Sequence, residues 1–156
     1  MTIDIRPLII TDIADVVAID SLAFARPWGE AAYRAQLTQE HTEWLVAVLP
    51  NSEKVISFVG WQKLGDEAEI LNFAVHPEHR RLGVGLKLFS RAIDEISQHS
   101  HTIFLEVRAS NLAAIKIYQA CGFTKSGLRP NYYRDNLEDA LLMQRTIDSK
   151  LIHKDH

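Results

Sequence analysis

The chain has 156 residues, a formal net charge of −3 and a single cysteine, Cys121. This length fits one domain with its own hydrophobic core, and a lone cysteine, which has no internal disulfide partner, is typical of a reducing compartment. No apolar run approaches the roughly 18 residues of a membrane span, and the first residues lack the basic start of a signal peptide. The slight negative charge argues against a general nucleic-acid binder. We therefore expect a soluble, cytoplasmic protein without direct contacts to nucleic acid or membrane.

The first quarter of the chain predicts one strand and two helices. Residues 3–9 alternate apolar and polar side chains, which indicates an opening strand, and Pro7 suits either an edge position or the end of that strand. Thr11 is predicted to be the N-cap of a helix that ends before Pro27, and a second short helix is predicted over Glu30–Leu37. The first helix is marked by residues at helical spacing: Ile13, Val16, Val17, Asp20 and Phe24.

The middle of the chain predicts most of a sheet. Three strands joined by short turns, Glu43–Leu49, Val55–Gln62 and Ala68–Val75, indicate an antiparallel meander. A long amphipathic helix from Gly83 to about Gln98 follows. The next strand, Thr102–Val107, implies a right-handed crossover and therefore a parallel strand pair.

The last third predicts one more helix and two final strands. The helix is capped by Ser110 or Asn111 and ended by Gly122. The strands are Phe123–Ser126 and Ala140–Ile147. The loop between these strands holds Arg129, Pro130, Asn131, Tyr132 and Tyr133.

These elements predict an α/β fold with a mixed sheet, in which an antiparallel meander is followed by a parallel βαβ crossover and C-terminal strands. Nothing in the sequence divides the chain by a repeat, a low-complexity tract or a linker. We expect one domain over residues 1–147 and a flexible tail over residues 148–156.

The stretch Asn72–Phe89 combines a strand end, a turn at Pro77, a basic loop with two glycines and a helix start. Glycines let the backbone approach a ligand, and the first turn of a helix has N–H groups without helical partners. Together with Arg80 and Arg81, these donors suit a polyphosphate. The loop is not a Walker A loop, because Gly85-Leu86-Lys87-Leu88 does not supply the required Gly-Lys-Ser/Thr. It is not a dinucleotide fingerprint either, because Leu88 stands where the third glycine belongs. From this loop alone, phosphate binding and a plain basic surface turn are equally supported.

Two motifs together carry a resemblance to a known family. Arg80–Gly85 fits the pattern Gln/Arg-x-x-Gly-x-Gly/Ala, and Asn111–Phe123 fits an Asn…Ala…Tyr…Gly-Phe segment. With both motifs in this order, the chain resembles the GNAT acetyltransferase superfamily over residues 3–147. The resemblance implies a GNAT-like fold, in which acetyl-CoA lies in a cleft where two strands splay apart.

Further segments resemble one group within that superfamily, the RimI-type protein N-terminal alanine acetyltransferases of bacteria. They are Leu105–Asn111, Asn131–Tyr133 and the dipeptide Pro27-Trp28. One departure from the group is Gly29, which stands where a serine or threonine is usual. Glycine is an acceptable N-cap, so the departure concerns the start of the local helix more than the activity.

The resemblance implies how the cofactor is held. The pyrophosphate would lie on the amides of the glycine loop, and the backbone of Phe73, Ala74 and Val75 would pair with the pantetheine and polarise the thioester carbonyl. Asn111 can hydrogen-bond the cofactor as well as cap its helix. The loop residues assigned to acetyl-CoA are Arg80, Arg81, Leu82, Gly83, Val84 and Gly85. No metal is expected, because the nearby His76 and His79 have no evident third ligand and lie around a proline.

Two residues match the catalytic positions of the family. Glu106 would be the general base that takes a proton from the amine through water, whereas without the motif it reads as a solvated or arginine-paired glutamate at a strand end. Tyr118 would protonate the departing CoA thiolate and bind the cofactor. Otherwise, it is a half-buried helix aromatic stacked on Phe123. A tyrosine with a pKa near ~10 is a poor donor to a thiolate near ~8.5, so positioning must compensate.

The acceptor is less closely defined than the cofactor. Trp28, Tyr132 and Tyr133 are expected to form walls around a peptide N-terminus, although loop aromatics also pack on their own domain. The resemblance points to the N-terminal alanine of small-subunit ribosomal protein eighteen. Two alternatives stay open: an acetyltransferase for lysine side chains or a small-molecule amine, and a non-catalytic acyl-CoA sensor, which would need neither a base nor an acid.

Overall fold

The computed structural model describes residues 2–147, so the predicted tail over residues 148–156 lies outside the described residues. The described chain forms strands β1 (Asp4–Pro7), β2 (Thr42–Val48), β3 (Val55–Leu64), β4 (Glu67–Val75), β5 (Thr102–Arg108), β6 (Thr124–Arg129) and β7 (Ala140–Thr146). Its α-helices are α1 (Ile13–Ala23), α2 (Glu30–Gln36), α3 (Val84–Ile96) and α4 (Leu112–Ala120). In the part of the chain described, no helix has the length and apolar character to cross a membrane.

The seven strands form one sheet in the order β1-β2-β3-β4-β5-β7-β6. Strand β2 pairs antiparallel with β1 and with β3, and β7 pairs antiparallel with β5 and with β6. The pair formed by β4 and β5 is parallel, as the crossover through α3 requires. The predicted fold class, an α/β fold with a mixed sheet, is confirmed.

The chain divides into two compact units, of which the first runs from the N-terminus to Gln62 and resumes over Leu71–Ala92. Its core buries apolar side chains of α1, α2, β2 and β3, including Val16, Tyr33 and Phe58. Gly60 is required at its position in β3, since a Cβ atom there would lie 2.3 Å from the Trp44 ring.

The second unit comprises Lys63–Ile70 and the chain from Ile93 onward. Parallel pairing joins Glu67–Glu69 of β4 to β5, and β5 pairs with β7 from Thr102 to Arg108. Along β5 the side chains alternate as predicted, with Ile103, Leu105 and Val107 buried. The opposite face of β5 therefore presents Phe104, Glu106 and Arg108.

The prediction that Thr11 caps the first helix is wrong. Ile10–Asp12 form a 3₁₀ turn, and α1 begins only at Ile13. The reason is the carboxylate of Asp12, which accepts a hydrogen bond from the N–H of Ile9 at 2.9 Å and pairs with Arg6 at 2.7 Å. An ion pair between residues only six positions apart thus sets where the helix starts.

The prediction that Arg129 lies in the loop after β6 is also wrong. Strand β6 extends to Arg129, which pairs with Ala140 of β7. Five of the six β6 side chains are exposed, so the strand lacks the alternation that predicts strands from sequence. Its length is set by pairing with β7.

The long helix α3 is shorter than predicted and ends at Ile96.

Candidate active site

The glycine loop lies between the end of β4 and the start of α3 in the first unit. Arg81 and Gly83 both have positive φ, +64° and +80°, so the loop uses the left-handed region twice within three residues. Arg81 is exposed, whereas the Nε–H of Arg80 donates to the carbonyl of Val75 at 3.3 Å. The loop therefore offers an exposed guanidinium in front of the first turn of a helix, which suits a phosphate group.

The backbone predicted to hold the pantetheine, Phe73–Val75, is buried at the end of β4. The N–H of Phe73 donates to Oδ1 of Asn72 at 3.0 Å, and the carbonyl of Ala74 accepts from the hydroxyl of Ser57 at 2.8 Å. A carbonyl can accept a second hydrogen bond, whereas an N–H has only one proton to give. A ligand that accepts from the Phe73 N–H would therefore have to displace Asn72, whereas the Ala74 carbonyl can accept from a ligand and from Ser57 together.

The turn between β4 and the loop gathers three potential metal ligands. Ligand atoms of His76, Glu78 and His79 lie within 4.8 Å of one another. Glu78 is thus the third possible metal ligand, which the sequence analysis did not identify. Nδ1 of His76 already accepts a hydrogen bond from the N–H of Glu78 at 3.1 Å. The expectation that no metal takes part stays a prediction.

The loop between α1 and α2 presents Trp28. The Trp28 side chain is 38% exposed, and its ring stacks on Tyr33 with 5.2 Å between centroids. Gly29 has a φ of +85° and is the N-cap residue of α2, as predicted. The N–H of Gly29 donates to the buried carboxylate of Asp20 at 3.1 Å. A buried side chain of α1 therefore helps to fix the backbone beside Trp28.

Glu106 lies on the exposed face of β5 in the second unit. Its carboxylate is 3.4 Å from the guanidinium of Arg129, and the side chain is 35% exposed. The guanidinium carbon of Arg129 also lies 5.4 Å from the centre of the Tyr132 ring. The glutamate is thus arginine-paired and still reachable from solvent, and its role as a base stays a prediction.

Tyr118 is buried at the C-terminal end of α4, with its ring 6.1 Å from that of Phe123. Burial raises the pKa of its hydroxyl well above the ordinary value, and the nearby Tyr133 adds a smaller upward contribution. The hydroxyl therefore holds its proton more tightly than an ordinary tyrosine does. The ring lies near Phe123 as expected, but it is buried and not half-buried, and it is tilted and not stacked. Its role as an acid stays a prediction.

The two predicted wall residues in the loop between β6 and β7 touch each other edge to face, with 5.2 Å between ring centres. Tyr132 is 44% exposed, whereas Tyr133 is half-buried beneath the guanidinium of Arg108, whose carbon lies 4.0 Å from the ring centre. Arg108 is itself held by Asp135 at 3.0 Å and by Glu138 at 3.4 Å. The β6–β7 loop is thus fastened to the end of β5.

The pKa shifts show that several site residues of the second unit share one electrostatic environment. Burial raises the pKa of Tyr133, the charge of Arg108 opposes this rise, and the charge of Glu106 adds to it. Burial also raises the pKa of Glu69, with a further upward contribution from Glu106. The structure therefore brings Glu106, Tyr118 and Tyr133 into one environment, with Glu69 as a second carboxylate.

Asn111 caps α4, as predicted. Its Oδ1 accepts a hydrogen bond from the N–H of Ala114 at 3.3 Å. Gly122, just after the helix, has a φ of +89°, which confirms its predicted role as the residue that ends α4. Contact between Asn111 and the cofactor stays a prediction.

The sequence analysis missed several residues that hold the predicted ones in place. They are Asp20, Arg108 and Arg129. Asp20 binds the nearby Gly29 and the more distant Tyr33, whereas both arginines form ion pairs with residues far from them in sequence. For Asp20 a signal was present, because an aspartate on the apolar face of a helix is rarely buried without partners. For the arginines the sequence carries no comparable signal, since their partners depend on strand register.

Comparison with known proteins decides the family. The model described as the acetyltransferase (GNAT) family matches residues 13–123. The chain belongs to this family. A GNAT relative, the ribosomal protein bS18-alanine N-acetyltransferase of Escherichia coli strain K12, is 36% identical over 136 residues, which cover 85% of this chain and 90% of the relative.

Solved structures agree with this assignment. The crystal structure of the ribosomal-protein-S18-alanine N-acetyltransferase from Escherichia coli has a TM-score of 0.85 at 35% identity and covers 94% of this chain and 95% of that one. A chain from the NatC complex bound to Gag peptide and CoA has a TM-score of 0.82 at 26% identity, with 95% and 100% covered. The predicted GNAT membership and the predicted enzyme class, acetyl-CoA-dependent N-acetyltransferase, are confirmed.

Proposed function

We propose that this GNAT enzyme transfers the acetyl group of acetyl-CoA to the N-terminal amine of a protein, and that its acceptor is the N-terminal alanine of ribosomal protein bS18. The observation that carries this proposal is the 36% identity to the Escherichia coli bS18-alanine N-acetyltransferase across 90% of that enzyme. The cytoplasm, where ribosomal proteins are made, is the compartment we assign to it. Residues 1–147 are taken as one catalytic domain without a metal, acting without direct contact to nucleic acid or membrane.

The cofactor roles are assigned to the first unit. Exposed Arg81 and the amides up to Gly85 would hold the pyrophosphate, and the β4 backbone from Phe73 to Val75 would pair with the pantetheine. Support comes from the positive φ angles at Arg81 and Gly83, which turn the loop just before α3 begins. Leu82 and Val84 complete the loop, and Asn111 adds a hydrogen bond to the cofactor.

The catalytic roles are assigned to the second unit. Glu106 would accept one proton from the ammonium form of the α-amine through a water molecule, and the neutral nitrogen then attacks the thioester carbon directly. The new C–N bond forms as the C–S bond breaks, Tyr118 would give its proton to the departing thiolate, and the second proton of the nitrogen would replace it on Tyr118. Exposure of Glu106 and the protonated state of Tyr118 support these assignments. The raised pKa also makes Tyr118 a weaker acid, so the transfer depends on close positioning.

An α-amine is a more accessible nucleophile for a single carboxylate base than a lysine side chain. At pH 7, deprotonating an α-amine with a pKa near ~7.8 costs about 1 kcal/mol, whereas a lysine near ~10.4 costs roughly 4.6 kcal/mol. Trp28 and Tyr132, which are 38% and 44% exposed, are proposed to line the path of the acceptor together with Tyr133.

A peptide panel tests the proposed acceptor. Peptides with the first residues of bS18 are incubated with acetyl-CoA and the enzyme, and the position of the acetyl group is read by tandem mass spectrometry. We expect acetylation of the α-amine and a preference for alanine over leucine or glutamate at the first position. A matched peptide with a blocked N-terminus and an internal lysine serves as control.

Each alternative gives a distinct result in this panel. Acetyl groups found only on lysine ε-amines would overturn the N-terminal assignment. Tight acetyl-CoA binding without turnover on any amine would favour the acyl-CoA sensor.

A further inference from the structure

Asp20 is a fully buried carboxylate on α1 whose two oxygens have separate partners. Oδ2 accepts a hydrogen bond from the N–H of Gly29 at 3.1 Å, and Oδ1 accepts from the hydroxyl of Tyr33 at 2.8 Å. Aspartate is almost never buried completely without such partners. Its place among apolar side chains therefore calls for a structural or functional reason.

The hydrogen bonds continue from Tyr33 to the end of β4. The hydroxyl oxygen of Tyr33 accepts from Nδ2 of Asn72 at 2.7 Å, and Oδ1 of Asn72 accepts from the N–H of Phe73 at 3.0 Å. All the donors in this chain point towards Asp20, an arrangement in which successive hydrogen bonds polarise one another. All five residues belong to the first unit.

The two ends of this chain are backbone amides next to functional positions. One end is Gly29, adjacent to Trp28, whose ring stacks on Tyr33 at 5.2 Å. The other end is Phe73, which begins the β4 backbone proposed above to pair with the pantetheine, and whose N–H donates to Asn72 within this chain. The burial of Tyr33 and the neighbouring carboxylate raise the pKa of its hydroxyl, so that it remains a donor to Asp20.

We propose that Asp20 is a positioning residue that fixes, through Tyr33 and Asn72, both the backbone beside Trp28 and the direction of the Phe73 amide. This inference rests on the proposed function, which gives these two backbone segments their roles towards acceptor and cofactor. A carboxylate is needed because both of its oxygens accept. With asparagine at this position, either the Gly29 N–H or the Tyr33 hydroxyl proton loses its acceptor.

Two variants and a matched control test the proposal. Asp20→Asn removes one acceptor, and Tyr33→Phe removes the hydroxyl while keeping the ring that stacks on Trp28. The control is Asp15→Asn, since Asp15 also lies on α1 and accepts a backbone N–H, that of Val55 at 3.1 Å, but is not part of the chain. All three proteins are assayed with acetyl-CoA and the bS18 peptide.

Loss of one buried hydrogen bond corresponds to about a tenfold change in an equilibrium or rate. We expect kcat/KM for the peptide to fall about tenfold in Asp20→Asn and Tyr33→Phe, and to change less than about twofold in Asp15→Asn. The Kd for CoA should change less than kcat/KM in both variants, because the pyrophosphate contacts proposed for the Arg80–Gly85 loop are not part of the chain. Equal peptide kcat/KM in Asp20→Asn, Tyr33→Phe and the control would overturn the proposal.

Amide hydrogen exchange gives a readout that does not depend on activity. Tyr33→Phe should accelerate exchange about tenfold at Phe73 but not at Gly29, whereas Asp20→Asn should accelerate it at Gly29 or at Phe73, according to which of the two partners loses its acceptor. If Asp20→Asn does not fold, Tyr33→Phe alone decides. Unchanged exchange at Phe73 in Tyr33→Phe overturns the proposal, even where activity falls. If the wild type acetylates no N-terminal peptide, the proposed function fails and exchange alone decides the role of Asp20.

Discussion

Glu106 combines two features that a general base of this kind requires, exposure to water and a fixed position. Its carboxylate is 35% exposed and lies 3.4 Å from Arg129. Glu106→Gln keeps the size of the side chain and a hydrogen-bond acceptor for Arg129 but removes the basic oxygen. We expect kcat to fall by about 10²–10³ with the Kd for acetyl-CoA nearly unchanged, measured by a thiol-release assay and by calorimetry.

The control for this variant is Glu67→Gln, an exposed glutamate on β4 that removes the same charge from the second unit. It should leave kcat within about twofold. An unchanged kcat in Glu106→Gln would remove the basis for general-base catalysis by this residue.

The proposed role of Tyr118 leads to a prediction about the size of kcat and about its dependence on pH. Its raised pKa means that the hydroxyl loses its proton only at a pH above that of an ordinary tyrosine, so its deprotonation does not limit activity in the alkaline range. Tyr118→Phe should lower kcat by at least about tenfold, and the ratio of wild-type to variant kcat should stay constant from about pH 7 to about pH 10. A ratio that falls towards 1 as the pH rises would show that Tyr118 titrates within this range.

The carboxylate of Asp12 stabilises the start of α1, and this stabilisation depends on pH. Burial alone would raise its pKa, but the hydrogen bonds from Arg6 and from the Ile9 N–H outweigh burial and lower it. A lowered folded-state pKa contributes stability above the unfolded pKa of ~3.9, and this stability is lost as the pH falls through the folded value. Asp12→Asn should therefore cost roughly 2 kcal/mol at pH 7 and progressively less below about pH 4.

Urea unfolding at several pH values measures this difference. Asp4→Asn is the control, since Asp4 is exposed on neighbouring β1. For that variant we expect a difference from wild type of less than about 0.5 kcal/mol at every pH. A constant difference between wild type and Asp12→Asn down to about pH 2 would contradict the lowered pKa.

At the scale of elements, the loop between β4 and α3 leads to a prediction about how the Kd for CoA depends on salt concentration. Arg81 is exposed with a φ of +64°, a conformation that asparagine adopts with little strain. Arg81→Asn therefore removes the charge without disturbing the backbone, and we expect the Kd for CoA to rise several-fold at low salt and less at high salt. Titrations at about 0.02 M and about 0.5 M salt measure the effect.

Lys125→Gln controls for net charge in this experiment, because Lys125 is exposed on β6. Its Kd for CoA should match that of the wild type at both salt concentrations. An Arg81→Asn variant whose loss of affinity is equal at low and high salt would contradict the electrostatic role.

The elements also show which parts of the structure the sequence can predict. The alternation along Thr102–Arg108 correctly placed Glu106 opposite the buried Leu105, because a strand buried on one face encodes its own register. The position of Arg129 was missed, since β6 is mostly exposed and its extent depends on pairing with β7. The Arg129–Glu106 ion pair therefore had no local signal. The helix start at Ile13 was missed for another reason: Arg6 and Asp12 are only six residues apart, but apolar spacing does not show which carboxylate an arginine binds.

At the scale of the whole molecule, the residues proposed for the cofactor and those proposed for the acceptor differ in whether they lie within the family match. The family match spans residues 13–123 and includes the glycine loop, Glu106 and Tyr118. Tyr132 and Tyr133 lie beyond it, in a loop fastened by Arg108. Of the residues proposed to line the acceptor path, Trp28 therefore lies within the family match, whereas Tyr132 and Tyr133 lie outside it.

The extent of the catalytic domain leads to a prediction about truncation. Ile147 is buried, and its N–H donates to the carbonyl of His101 at 2.6 Å. A chain ending at Asp148 keeps this contact and all of β7, so we expect its kcat and its melting temperature to match those of the full chain. A chain ending at Gln144 loses the pairing of Thr146 with Thr102 and the buried Ile147 side chain. Its melting temperature should fall by at least about 5 °C. Lost activity in the chain ending at Asp148 would show that the catalytic domain extends beyond residue 147.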